Sequence, residues 1–319
     1  MKQAPLSQFA ILKVEGEDSL TFLQGQLSQD MQQVKADNAL LSSYSNPKGR
    51  VFATFLCWQD TSQAHTYYAL VQRDIATFLQ KRLTMFVLRA KVSISILTSA
   101  MWAVWGEDVA ALTTTYPFIE SLTNIPLTLS NNEKPQFKVI THNQVTVIKF
   151  PSVDATQRLL IISESPLWTV QEATGDENEW YAQDILLGLP WIGDKTKELF
   201  VAQSINLDAI GAINFKKGCY PGQEVIARSH YLGNLKKRSI PAYITLPVTN
   251  ADELLGSDVI QDGNPIGQVV NATTVEDKIY LLIELTIKNL EDDAAIELAQ
   301  LSGNTLHFLD IPYSLEKPE

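Results

Sequence analysis

The sequence is poor in the residues that build covalent or metal frameworks. Its 319 residues hold two cysteines, Cys57 and Cys219, far apart in the chain. Two thiols make no disulfide framework and show no zinc-ligand spacing. The four histidines, His65, His142, His230 and His307, are isolated from one another, so no metal site is expected. No apolar run approaches the ~20 residues needed to cross a bilayer. The first fourteen residues carry two lysines, Lys2 and Lys13, and no sustained apolar core, and do not read as a signal peptide. The expectation is a soluble cytoplasmic protein with reduced thiols. Neither G-x-G-x-x-G, G-x-x-x-x-G-K-[ST] nor G-x-S-x-G occurs, which excludes the common phosphate loops and the hydrolase elbow.

Charge is present but unevenly spread. The formal net charge is −11. Residues 1–249 hold 22 acidic and 22 basic side chains, whereas residues 250–319 hold 14 acidic and 3 basic. The whole excess thus sits in the last 70 residues and marks a compositional boundary near Asn250. A chain this acidic is a poor non-specific binder of phosphate backbones.

Hydrophobic patterning predicts two α+β units and a β-rich tail. A strand is expected at 9–14, then a helix carrying Leu20, Leu23 and Leu27 on one face. Asn46-Pro47-Lys48-Gly49 is a turn signal between strands at 39–44 and 51–58. A strand at 65–71 follows. Asp74 is expected to cap a helix that lines up Ile75, Phe78, Leu79, Leu83 and Phe86. A strand at 91–97 closes the first unit. The order recurs with strands at 101–105, 137–140, 145–150 and 159–162 and helices at 107–116 and 167–173. Residues 177–189 read as a helix and 190–214 as irregular. Short strands from 240 onward, with Asp262-Gly263-Asn264 as a turn, read as a small barrel or sandwich.

One stretch concentrates chemistry: Lys216-Lys217-Gly218-Cys219-Tyr220-Pro221-Gly222-Gln223-Glu224 and, in the following helix, Arg228. Pro221 is expected to open that helix, with Glu224 and Arg228 forming an i,i+4 pair. Cys219 then lies beside a helix N-terminus and two lysines, influences that favour thiolate over thiol, making it the candidate reactive group. Residues 209–240 hold six cations against Glu224 alone, a local +5 suited to an anion. Cys57, in Phe55-Leu56-Cys57-Trp58, reads as buried packing.

Lys217-Gly218-Cys219-Tyr220-Pro221-Gly222-Gln223-Glu224 matches the K-G-C-Y-x-G-Q-E signature of the YgfZ family, folate-binding proteins related to the T-protein (aminomethyltransferase) of the glycine cleavage system. Phe22–Gln26, Pro47–Arg50, Gly188-Leu189-Pro190, Asn304–His307 and Pro312–Leu315 resemble further segments, so the likeness runs along nearly the whole chain. It implies a ring of two ferredoxin-like α+β units and a C-terminal antiparallel β-barrel. The parts would be residues 1–98 with 175–238, residues 99–174, and residues 239–319. It further implies a tetrahydrofolate or derivative contacted by Phe9, Trp180, Lys217, Gly218, Tyr220, Gly222, Gln223, Glu224 and Arg228.

Relatives carry Trp where Phe9 stands, seven residues before Gly16. T-protein transferases also carry an acidic residue in the strand after the hairpin glycine. Here 48–59 contains no carboxylate, and Thr54 lies near its place. The resemblance therefore implies an accessory factor that supports iron–sulfur enzymes, including those that methylthiolate tRNA. A folate-dependent one-carbon transferase and a direct tRNA-binding module are the alternatives, with direct tRNA binding and membrane contact not expected.

Overall fold

The computed structural model describes residues 1–60, 62–125, 128–129, 133–233, 235–246, 250–291 and 294–315. Asp292, Asp293, Glu316 and Glu319 of the acidic excess lie outside them. The first unit comprises β1 (Lys2–Pro5), β2 (Phe9–Glu15), α1 (Ser19–Gln26), β3 (Asn38–Ser45), β4 (Val51–Gln59), β5 (Thr66–Gln72), α2 (Arg73–Met85) and β6 (Ser93–Leu97). The second comprises β7 (Ala100–Gly106), α3 (Glu120–Thr123), β8 (Phe137–His142), β9 (Val145–Phe150) and β10 (Gln157–Ser163). Two isolated helices follow, α4 (Glu177–Leu186) and α5 (Gln223–Leu232). The C-terminal strands are β11 (Lys237–Thr245), β12 (Asp258–Gln261), β13 (Asn264–Val275), β14 (Lys278–Thr286), β15 (Ile296–Leu298) and β16 (His307–Phe308).

The two expected sheets are one. Ten antiparallel strands run in the order β1-β7-β10-β9-β8-β3-β4-β5-β2-β6. The halves join through a short seam in which Asn38 faces Lys138 and Ala39 faces Phe137. Within the first half the strand order is β3-β4-β5-β2-β6, a five-stranded arrangement rather than a four-stranded ferredoxin-like one. The hairpin β3–β4 turns where the sequence predicts. Asn46 Oδ1 accepts the N–H groups of Lys48 and Arg50 at 2.9 and 3.0 Å, and Gly49 takes φ +74°.

Helical expectations in the second unit give way to tighter turns. Residues Glu107–Thr114 and Val170–Glu172 form 3-10 helices. α2 starts two residues early, with Gln72 at its cap, so Asp74 falls in the first turn and its carboxylate accepts the Asp194 N–H at 2.9 Å. The C-terminal sheet has the order β15-β12-β13-β14-β11-β16. An isolated bridge from Glu297 of β15 to Thr305, two residues before β16, brings the two ends of the sheet near each other, so the sheet is curled.

Alternation along the ten strands sends two sets of side chains to opposite faces. One set, including Leu12 and Phe55, packs with Phe22 and Leu23 of α1 and Ile75 and Leu79 of α2. The other, including Phe9, Ile11, Leu56, Ile148 and Leu160, meets the inner face of α4 and the segment 187–213. α4 is set by Asp176, whose side chain accepts the Asn178 N–H at 2.9 Å while Glu179 reaches back, a reciprocal cap. Its Asp184 is fully buried and meets Arg158 of β10 at 2.7 Å. Trp191 Nε1 donates to the other Asp184 oxygen at 2.9 Å, and Arg158 also donates to the carbonyls of Pro151 and Trp180.

Removing one partner of a buried pair strands the other. Asp184→Ala is expected to cost about 3–5 kcal/mol in urea unfolding. The combined Arg158→Met, Asp184→Leu variant should recover most of it.

Candidate functional site

The octapeptide Lys217–Glu224 is a strap held at both ends. Lys217 does not face solvent as an anion-binding cation. Its Nζ donates to three main-chain carbonyls beyond the end of α1 or within its last turn: Gln24 at 2.6 Å, Leu27 at 2.5 Å and Gln29 at 2.9 Å. Burial pulls its pKa down to about 8, against the opposing charge of Asp30. At the other end Gly222 takes φ +81° and caps α5, and a Cβ there would meet the Asn46 carbonyl and Gly49 of the β3–β4 hairpin. Pro221 therefore precedes the helix rather than opening it.

Between these anchors Gly218 and Cys219 are exposed. Tyr220 turns inward, 7 % exposed, and burial pushes its hydroxyl up to about 12. Gln223 is half-buried, while Glu224 and Arg228 are exposed. No ion pair joins Glu224 to Arg228 among the described residues.

Half of the six cations behind the local +5 are engaged by other segments, Lys217 among them. Arg238 is buried and pairs with Asp208 at 2.6 Å, and Lys237 meets Glu284 at 3.0 Å. Both acids lie outside the 209–240 window, which is why sequence counting missed them. Lys216, Arg228 and Lys236 remain exposed.

The two aromatic residues expected at a ligand are both fully buried. Phe9 packs against Trp191 and Tyr181, with centroids 4.7 and 5.5 Å away. Trp180 lies among Phe150 (5.1 Å) and Trp105 (6.4 Å), with the Arg158 guanidinium 4.0 Å over its ring. The structure thus brings Lys217, Cys219, Tyr220 and Gly222 together on the strap and leaves Phe9 and Trp180 in the core. Thr54, at the place of the missing carboxylate, is buried and accepts the Ile192 N–H at 3.1 Å.

A groove that motif reading passed over opens between the two halves of the long sheet. It measures about 790 Å³. Tyr68 and Leu97 form its accessible apolar walls, with the buried side chains of Trp58, Ile11 and Ile162 against it, and Asp60, Glu164 and Lys13 supply charge. Trp58 and Tyr68 lie 5.6 Å apart and 34° from parallel. Tyr68 Oη donates to Asp60 Oδ2 at 2.7 Å, while Ser62 and Gln63 donate to Oδ1. Burial alone would raise the Asp60 carboxyl, but these hydrogen bonds outweigh it and hold it below the usual range. Tyr68 is correspondingly raised, by burial first and by Asp60 second. The only sequence signal for this groove was the alternation that puts Trp58 and Tyr68 on one face of paired strands.

The groove and the strap sit at opposite ends of β4. Gly222 packs on the hairpin before Val51, whereas Trp58 lies near the far end of β4 and Asp60 just past it, roughly 25 Å away at strand rise.

The fold has a solved counterpart. The chain is similar to the crystal structure of glycine cleavage system aminomethyltransferase T from Bartonella henselae. The TM-score is 0.66 over 97 % of this chain and 85 % of that one, at 12 % identity. At that identity the likeness shows a shared fold. No family model matches the chain. Among the described residues no helix is long and apolar enough to cross a membrane, and no cluster of His, Cys, Asp and Glu is arranged to hold a metal.

The two thiols are expected to react very differently. Cys57 is buried, and burial pushes its thiol up to about 12. A disulfide reagent should label one equivalent in the native protein, at Cys219, and the second only on unfolding. Peptide mapping of the labelled chain checks the assignment.

Proposed function

We propose that the protein is a folate-binding accessory factor whose exposed Cys219 loop supports iron–sulfur enzymes, and thereby tRNA methylthiolation. The observation that carries the folate half is the groove of Trp58, Tyr68 and Asp60 within an aminomethyltransferase-like fold. A pterin is flat, apolar on its faces and rich in donors along one edge. The groove offers matching walls, an Asp60 oxygen with a spare lone pair, and the exposed Glu164 carboxylate. Lys13, paired with Glu15 at 2.6 Å, is the groove cation nearest in kind to the need of a glutamate tail. Folate contacts at Phe9 or Trp180 would require core side chains to move aside, whereas the half-buried Tyr68 and Asp60 already border the groove.

A reduced folate supplies one-carbon and redox chemistry. The chain's own contribution is to orient the ring between apolar walls and to exclude water. The transferase reading has less support, because β4 carries no carboxylate and the Thr54 hydroxyl is already engaged. Separation of groove and strap favours a division of labour, with folate bound at one end of β4 and a partner met by the thiol at the other.

Calorimetric titration with tetrahydrofolate is expected to show binding that Tyr68→Ala weakens about tenfold. Absence of binding at millimolar ligand refutes the folate half. In cells lacking the protein, Cys219→Ala is expected to fail to restore tRNA methylthiolation while Cys57→Ala restores it. Full rescue by Cys219→Ala makes the thiol dispensable.

A further inference from the structure

We infer that the turn between α2 and β6 is a docking tip for an anionic lipid surface. Seven large apolar side chains are exposed among the described residues, and three stand within four consecutive positions. Met85 is 64 % exposed, Phe86 44 % and Leu88 87 %. Leu88 also takes φ +49°, the left-handed region that glycine and asparagine adopt readily and leucine resists. A glycine there would relax the backbone and remove the exposed side chain together. The chain instead holds its most exposed large apolar group in an unfavourable conformation, with no packing gained in return.

Charge identifies the kind of surface that fits. No Asp or Glu occurs from 75 to 106, whereas Lys81, Arg82, Arg89 and Lys91 flank the three apolar residues. Arg82 forms the base of the tip, its guanidinium 4.2 Å over Phe52 and 5.9 Å from the Phe86 ring. Glu17 and Asp18 are the carboxylates that face the turn, and both are engaged by Lys91. Its ammonium meets Glu17 at 2.6 Å and its N–H donates to Asp18 at 2.8 Å. Lys81 and Arg89 stay exposed. β6 is a terminal strand of the long sheet, so the tip lies at an edge. The net negative charge of the chain comes from residues 250–319, which build the other sheet.

Three side chains on one turn make too small a patch for a stable protein interface of about 800 Å² per partner. A bilayer accepts individual apolar side chains without matching their shape, and anionic headgroups receive the flanking cations.

Co-sedimentation of the full chain with vesicles of equal parts phosphatidylcholine and phosphatidylglycerol tests the assignment. Binding is expected at low salt and should weaken as salt is added. Leu88→Gly is expected to reduce it about tenfold, with a melting temperature at or above that of the native chain. Absence of binding, equal binding to phosphatidylcholine alone, or undiminished binding by Leu88→Gly would overturn it, the last placing the contact elsewhere.

Discussion

The Arg158–Asp184 pair is the joint on which the inner architecture turns. Two opposite charges, both out of water, are held 2.7 Å apart, and each makes further hydrogen bonds, Arg158 to the carbonyls of Pro151 and Trp180 and Asp184 to the Trp191 indole. Through them β10, α4 and the segment after Leu187 are fixed in one geometry. Such a pair adds little net stability relative to apolar packing, but it tolerates few alternatives, because any arrangement that parts the charges leaves one buried alone. Trp180 and Trp191 are oriented by the same contact, one beneath the guanidinium and one bonded to the carboxylate. A second tie joins mid-chain to C-terminus: Tyr313 donates to the Gly188 carbonyl at 2.9 Å and accepts from Asn206. Two segments that stand out separately in the sequence, Gly188-Leu189-Pro190 and Pro312–Leu315, thus meet in space.

This packing fills the centre with side chains and moves open space to the periphery. The groove at Trp58 and Tyr68 lies where the two halves of the sheet diverge. The strap stands on the outer side, over the end of α1 and the β3–β4 hairpin. Buried lysines hold such outer segments in a recurrent way. Lys149, with its pKa drawn down to about 8 by burial, donates to the carbonyls of Leu122 and Ile125. Lys217 does the same for the turn after α1. In both cases an ammonium takes the place that water or a capping residue would otherwise hold at carbonyls lacking helical partners.

Much of the local structure was legible from periodicity and turn chemistry. The β3–β4 hairpin, the apolar face of α2 and the short strands after residue 238 all depend on side chains within a few positions of one another. The single continuous sheet was not legible, because β3 and β8 are about a hundred residues apart and share a two-residue seam that leaves no periodic trace. The helices expected at 107–116 and 167–173 carry suitable residues, yet tertiary packing accommodates only 3-10 turns there.

The sequence by itself determined the chemistry available: one thiol flanked by lysines and glycines, a chain without metal-ligand spacing, and an acidic excess confined to its last 70 residues. It also marked the turn at Asn46–Gly49. Only the tertiary structure decided which of these groups face outward. Lys217, Lys237 and Arg238 look alike in sequence to Lys216 and Lys236, yet the first three are neutralised by carbonyls and carboxylates drawn from distant segments. Phe9 and Trp180 look like ligand platforms and are core, while Tyr68 looks like core and is half-buried at the groove. The reason is that exposure depends on which faces the long sheet turns toward each other, and that is settled by contacts between residues far apart in the chain.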